Sequence, residues 1–184
     1  MKRRVATLLA LLSVCAAATI PGAAAAGARP LTLKLVGTSE WSSAFLAETF
    51  SIQGSLTKSA AAWGTGSYSG TLQAGPYTGP TFTCGPVCAP VTGTIDFVTR
   101  AGTFSADVLS GSTVAEEDTA SHSEYDFTLD LTITGGTGSY SQATGALSLQ
   151  YASVRFQNQP ECSICPIEDS GTLTGEIARG RSSS

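Results

Sequence analysis

From Ser123 to Thr134 the chain reads SEYDFTLDLTIT, in which Tyr125, Phe127, Leu129, Leu131 and Ile133 alternate without a break with Asp126, Thr128, Asp130, Thr132 and Thr134. Successive side chains of an extended chain point to opposite faces, so this stretch is a strand with one buried and one wet face. A strand this long and this one-sided must join a sheet whose apolar face closes on another.

The rest of the chain offers partners of the same kind. Strands are expected at Leu31 to Val36, Glu48 to Leu56, Ser67 to Leu72, Ala146 to Phe156 and Gly171 to Ile177. Gly93 to Thr99 and Thr103 to Leu109 flank Arg100-Ala101-Gly102, a three-residue link with a glycine available for positive φ, and read as a hairpin. Thr38 to Leu46 is open to two readings, one helical turn or a bent strand. No long helical period occurs downstream of the N-terminal apolar run. About eight strands with frequent turn signals predict an all-β antiparallel barrel, with a β-sandwich as the alternative.

The N-terminus has another character. Lys2, Arg3 and Arg4 precede an apolar run from Val5 to Ile20, then Pro21-Gly22 and small residues, the order of a secretory signal peptide cleaved after Ala26 or Ala28. The run is shorter than the roughly 20 residues that span a bilayer, which disfavours an uncleaved anchor. The expected organisation is residues 1–26 as signal, 27–178 as one β-barrel domain and 179–184 as a C-terminal tail. Cleavage removes three of ten basic residues and none of fourteen acidic ones, leaving a net charge of −7. A nucleic-acid partner is therefore not expected, nor a membrane once the signal is gone. Charged residues are only 13% of the chain, and Ser, Thr and Gly fill the polar positions instead.

One hexapeptide occurs twice: GTGSYS at Gly64 to Ser69 and again at Gly136 to Ser141. Glycines before an aromatic residue describe a tight reversal, so Gly64, Gly66 and Tyr68, and likewise Gly136, Gly138 and Tyr140, read as turns that seat a ring in the core. A phosphate cradle would need a nearby lysine and a following helix, and neither is present. The sequels match as well. Cys84-Gly85-Pro86-Val87-Cys88 and Gly93-Thr94-Ile95 follow the first copy, Cys162-Ser163-Ile164-Cys165 and Gly171-Thr172-Leu173 the second, a pattern that an old duplication would leave.

The second copy, extended to GGTGSYSQATG at Gly135 to Gly145, resembles the GGTG-x-aromatic-x-x-A-x-G element of the allene oxide cyclase and dirigent families. The resemblance covers these eleven residues and implies an eight-stranded up-and-down barrel with a pocket at one mouth. Those families include proteins that guide cyclisation or radical coupling without a cofactor. It transfers no catalytic residue to this chain.

Four cysteines remain after signal cleavage, Cys84, Cys88, Cys162 and Cys165, and in an oxidising compartment they are expected to form disulfides. Three pairings are open. Local bridges 84–88 and 162–165 would stiffen each loop; bridges between the loops would stabilise by roughly 4 kcal/mol each on the chain-entropy model, and need both loops at one end of the barrel. A four-thiolate zinc site is the metal alternative, which export disfavours, and no metal is expected.

Other chemistry is sparse. His122, the one histidine, lies in a polar connection without a nucleophile motif and reads as a solvated loop residue. Arg155 continues the row Leu147, Leu149, Tyr151 and Ser153 toward a barrel mouth. It either pairs with Glu161, Glu168 or Asp169, or anchors an acidic ligand as a candidate binding residue. Trp41 and Trp63 read as core residues, or as a sugar-stacking surface if exposed. Two functions fit this sequence. The first is a secreted, extracellular, non-enzymatic barrel without a cofactor that binds a small ligand or a cell-surface component. The second is a cofactor-free isomerase or cyclase of the allene oxide cyclase or dirigent type, working on a small hydrophobic substrate held in a shaped pocket.

Overall fold

The computed structural model describes residues 28–44, 47–58, 65–76, 88–118, 122–156 and 167–179. They form β1 (Ala28–Ala44), β2 (Ala47–Lys58), β3 (Gly66–Ala74), β4 (Cys88–Thr99), β5 (Gly102–Asp118), β6 (His122–Gly136), a single turn of 3₁₀ helix (Gly138–Tyr140), β7 (Thr144–Phe156) and β8 (Ile167–Ala178). Every strand pairs antiparallel with its neighbour in sequence and β8 closes on β1, which gives an up-and-down barrel in the order β1 to β8 and leaves no free edge. The barrel, not the sandwich, is the solution. Thr38 to Ala44, open to a helical turn by sequence, continue β1 instead, held to β2 from Thr38 opposite Gln53 to Ala44 opposite Ala47.

Inward rows fill the interior. Leu31, Leu33 and Leu35 of β1, Phe50, Ile52 and Leu56 of β2, Leu129 and Leu131 of β6, Leu147 and Leu149 of β7, and Leu173 and Ile177 of β8 are all buried. The outward rows carry Ser, Thr and Asp, for example Thr128, Asp130 and Thr134 on β6. Val36, Val98 and Leu109 are the exposed large apolar side chains among the described residues.

The strands are strongly staggered. Following the register from Phe104 passes through Phe97, Tyr68, Gly54, Gly37, Asp169, Ser153 and Tyr125, and returns to β5 at Ala115 rather than Phe104. Such shear accompanies tilted strands in a small barrel whose interior side chains can fill. It also brings residues from opposite ends of different strands to one level.

The two copies of GTGSYS take different structures. In the second, Gly138 has φ 58, Thr137 donates its N–H to the Thr103 carbonyl at 2.8 Å, and Ser139 donates to Ala101 at 2.9 Å. Tyr140 is thereby driven under the barrel, fully buried against Phe104 at 5.2 Å, with the Arg179 guanidinium 4.8 Å above its ring. In the first copy Gly66 and Tyr68 belong to strand β3, not to a turn, and Gly64 lies outside the described residues.

The cause is downstream. Leu72 and Leu147 hold matching places, each opposite a glycine of the next strand with φ 147, Gly93 and Gly175 respectively. Between tyrosine and leucine the second copy has three more residues than the first, so Tyr140 is displaced from the strand that Tyr68 occupies. The glycine matching Gly93 is thus Gly175, not the Gly171 that spacing from the cysteines suggests. Buried Ser39 and Thr113, each two residues after a glycine in β1 and β5, match in the same way. Strand order around the two copies is identical, as it is between any two halves of an up-and-down barrel.

Candidate functional site

The upper interior interrupts the apolar packing with a group of hydroxyls around one carboxyl. Asp169, the third residue of β8, is 2% exposed. Tyr151 of β7 donates its hydroxyl to Asp169 Oδ2, and Ser39 of β1 donates to Oδ1 at 3.1 Å. The Ser39 and Ser153 hydroxyls are 3.1 Å apart, and those of Tyr68 and Tyr151 are 3.2 Å apart. Four strands are joined by side chains that all point inward. Tyr68 reaches the cluster because two bare glycines lie beneath it: a Cβ on Gly37 would stand 2.6 Å from its hydroxyl, and one on Gly54 2.8 Å from its ring. Tyr68 and Tyr151 meet edge to face at 6.3 Å, and Tyr151 meets Phe127 at 6.1 Å.

Burial dominates the electrostatics. It raises the Asp169 carboxyl above its ordinary value, because a charge is poorly solvated there, and the hydroxyls of Tyr151, Ser153 and Ser39 oppose that rise. Both phenols are also raised, Tyr68 chiefly by burial and Tyr151 by burial together with the charge of Asp169 beside it. A phenol raised in the folded state keeps its proton where the unfolded chain, titrating near 10.0, would release it. The stabilisation it carries is complete below pH 10 and is lost as pH climbs above it. Of the five tyrosines, Tyr68 and Tyr151 are accordingly expected to ionise only as the barrel unfolds. Absorbance at 295 nm followed with far-ultraviolet circular dichroism checks this. Complete phenol ionisation in a still-folded barrel would contradict it.

The residues singled out by sequence fare unevenly. Tyr68 enters the cluster, while Tyr140 plugs the opposite end. Arg155 lies in β7 opposite Ser123 and His122 in β6 opposite Phe156, but their side chains lie outside the description. Trp41 lies in β1 opposite Phe50 of β2, its side chain likewise outside, and Trp63 lies wholly outside. Cys84, Cys162 and Cys165 also lie outside the described residues. Cys88 is buried at the start of β4. The strand ends Ala74, Cys88, Phe156 and Ile167 share one end of the barrel, so both cysteine-bearing connections spring from that end.

Sequence reasoning passes over Ser39 and Ser153 as site residues and treats Asp169 only as an ion-pair partner. A signal does exist. Asp169 is in phase with Gly171, Leu173, Gly175 and Ile177 on β8, and Ser153 with Leu147, Leu149 and Tyr151 on β7, so both polar residues fall on core rows.

Among the described residues, two concavities mark the outer wall. The larger, of about 680 Å³, crosses β1 to β4 and is fringed by Glu40, Gln53, Gln73 and Asp96, with the hydroxyls of Ser69 and Thr71 between them. Its floor includes Gly93, where β4 and β5 slip register between Pro90 and Thr94. Bulges of this kind dent an otherwise convex wall. The second, of about 480 Å³, crosses β1, β6, β7 and β8 between Lys34, Val36, Asp126 and Gln150. No protein-family model matches the chain, and no curated protein matches its sequence.

Proposed function

We propose that the protein is an exported, non-enzymatic barrel that binds a neutral, polyhydroxylated surface component through the outer groove over β1 to β4. The observation that carries this reading is the chemistry of that groove. Two amides, two carboxylates and several hydroxyls line this depression, and among the described residues that line it none is cationic or aromatic. Planar amides and carboxylates pair with vicinal hydroxyls of sugars, while the two acids repel phosphates and carboxylates. The signal-like N-terminus and the low charge of the chain support an extracellular setting.

The cyclase reading asks for a chamber. Where that chamber would lie, Phe50 packs against Phe127 at 5.1 Å and Phe127 against Tyr151, which favours binding at the wall over conversion inside.

Retention of the purified mature protein on insoluble polysaccharides, compared with the Gln53→Ala/Gln73→Ala double variant, tests the proposal. Loss of about tenfold in affinity is expected, since each amide contributes roughly 0.5–1.5 kcal/mol through its hydrogen bonds. No retention of the parent on any neutral polysaccharide, or equal retention of parent and variant, would overturn it.

A further inference from the structure

We propose that Asp169 is a buried proton switch: the folded barrel takes up one proton there as its surroundings turn mildly acidic, and becomes harder to unfold. The geometry supplies the reason. Asp169 is faced from β1 by Ser39, from β7 by Tyr151 and Ser153, and from β3, through Tyr151, by Tyr68. Among the described residues, every group facing it is uncharged at neutral pH. Among those residues the carboxylate is held by hydroxyl donors, whereas a buried ion is ordinarily paired with an opposite charge.

The donors converge on the carboxyl from two sides. Tyr68 passes its hydrogen to Tyr151 and Tyr151 to Oδ2, while Ser39 donates to Oδ1 and the Ser153 hydroxyl, 3.1 Å from that of Ser39, stands beside the same carboxyl. That order satisfies every hydroxyl hydrogen when Asp169 is ionised. On protonation the Asp169 O–H becomes a donor, and one chain reverses so that its hydroxyls accept in turn. The proton comes from solvent, no bond between heavy atoms changes, and the buried carboxylate charge is neutralised.

The sign follows from the direction of the shift. Burial raises the folded carboxyl above 3.8, so between 3.8 and its folded value the folded state holds a proton that the unfolded chain has released. Stability from this group is complete below 3.8 and is lost as pH rises through the folded value. Acidification from neutrality toward 3.8 therefore strengthens the barrel, the reverse of ordinary acid denaturation.

Urea unfolding of the disulfide-intact parent and of Asp169→Asn, at pH steps from 7 down to 4, tests the proposal. The parent midpoint is expected to shift to higher urea as pH falls from 7 to 4. Asp169→Asn, which keeps the shape without the titrating proton, should show a flat midpoint. Ser39→Ala should retain the rise and move it to higher pH, because it removes a donor to the ionised form. A parent midpoint that falls on acidification, or an unchanged rise in Asp169→Asn, would overturn the proposal.

Discussion

Gly175→Val is expected to leave no folded barrel, and Gly175→Ala to lower the free energy of unfolding by about 3–5 kcal/mol. Two effects combine. Gly175 has φ 147, a conformation that side-chain-bearing residues adopt only at a cost of order 1–3 kcal/mol. A Cβ there would also stand 2.4 Å from the Ala146 carbonyl oxygen and 2.8 Å from Leu147 Cα, both backbone atoms of a paired strand that cannot swing aside. Gly93 in β4 repeats the geometry, with φ 147 and a Cβ 2.1 Å from the Thr71 oxygen, so Gly93→Ala should fail comparably. Gly135→Ala is the control. A Cβ at Gly135 meets nothing within 4 Å, and the change should stay within about 0.5 kcal/mol. Urea midpoints by circular dichroism check all three, and a Gly175→Ala midpoint equal to that of the parent would mean that β8 is not held in this register.

These glycines mark what the sequence discloses and what it hides. The strand period of β6 is legible because its burial alternates residue by residue, and one such strand forces its neighbours into a closed, one-sided sheet. The interior cluster is not legible in the same way. Tyr68 is the third residue of β3 and Asp169 the third of β8, two strands that start from opposite ends of the barrel, and only the stagger of the closed barrel brings them level. Shear is a property of closure, and no local pattern encodes it. The repeated GTGSYS teaches the converse. Identical letters gave a strand at Tyr68 and a 3₁₀ turn at Tyr140, because the distance to the next core leucine differs and the core leucine fixes the register. The polar phase of Ser153 and Asp169 on core rows could be read from sequence, provided those rows are first assigned to the inside.

The packed interior itself is open to test through Phe127, where the second large loss is expected. Phe127 is 2% exposed and its ring meets Phe50 at 5.1 Å and Tyr151 at 6.1 Å, both nearly edge to face. Phe127→Ala should cost about 3–5 kcal/mol, the sum of lost burial and of a void that the closed wall cannot collapse around. A barrel hydrogen-bonded on every side is stiffer than a helical core, so the upper part of that range is expected. The void would be apolar on the Phe50 side, and a small apolar probe such as benzene should partly restore the midpoint of the variant while leaving the parent unmoved. Removing the ring also strips the contact that backs Tyr151, so the acid-strengthening ascribed to Asp169 should weaken in Phe127→Ala. A cost below about 1 kcal/mol would mean that the interior already holds open space. That result would restore the chamber a cyclase requires and undercut binding at the outer wall as the protein's function.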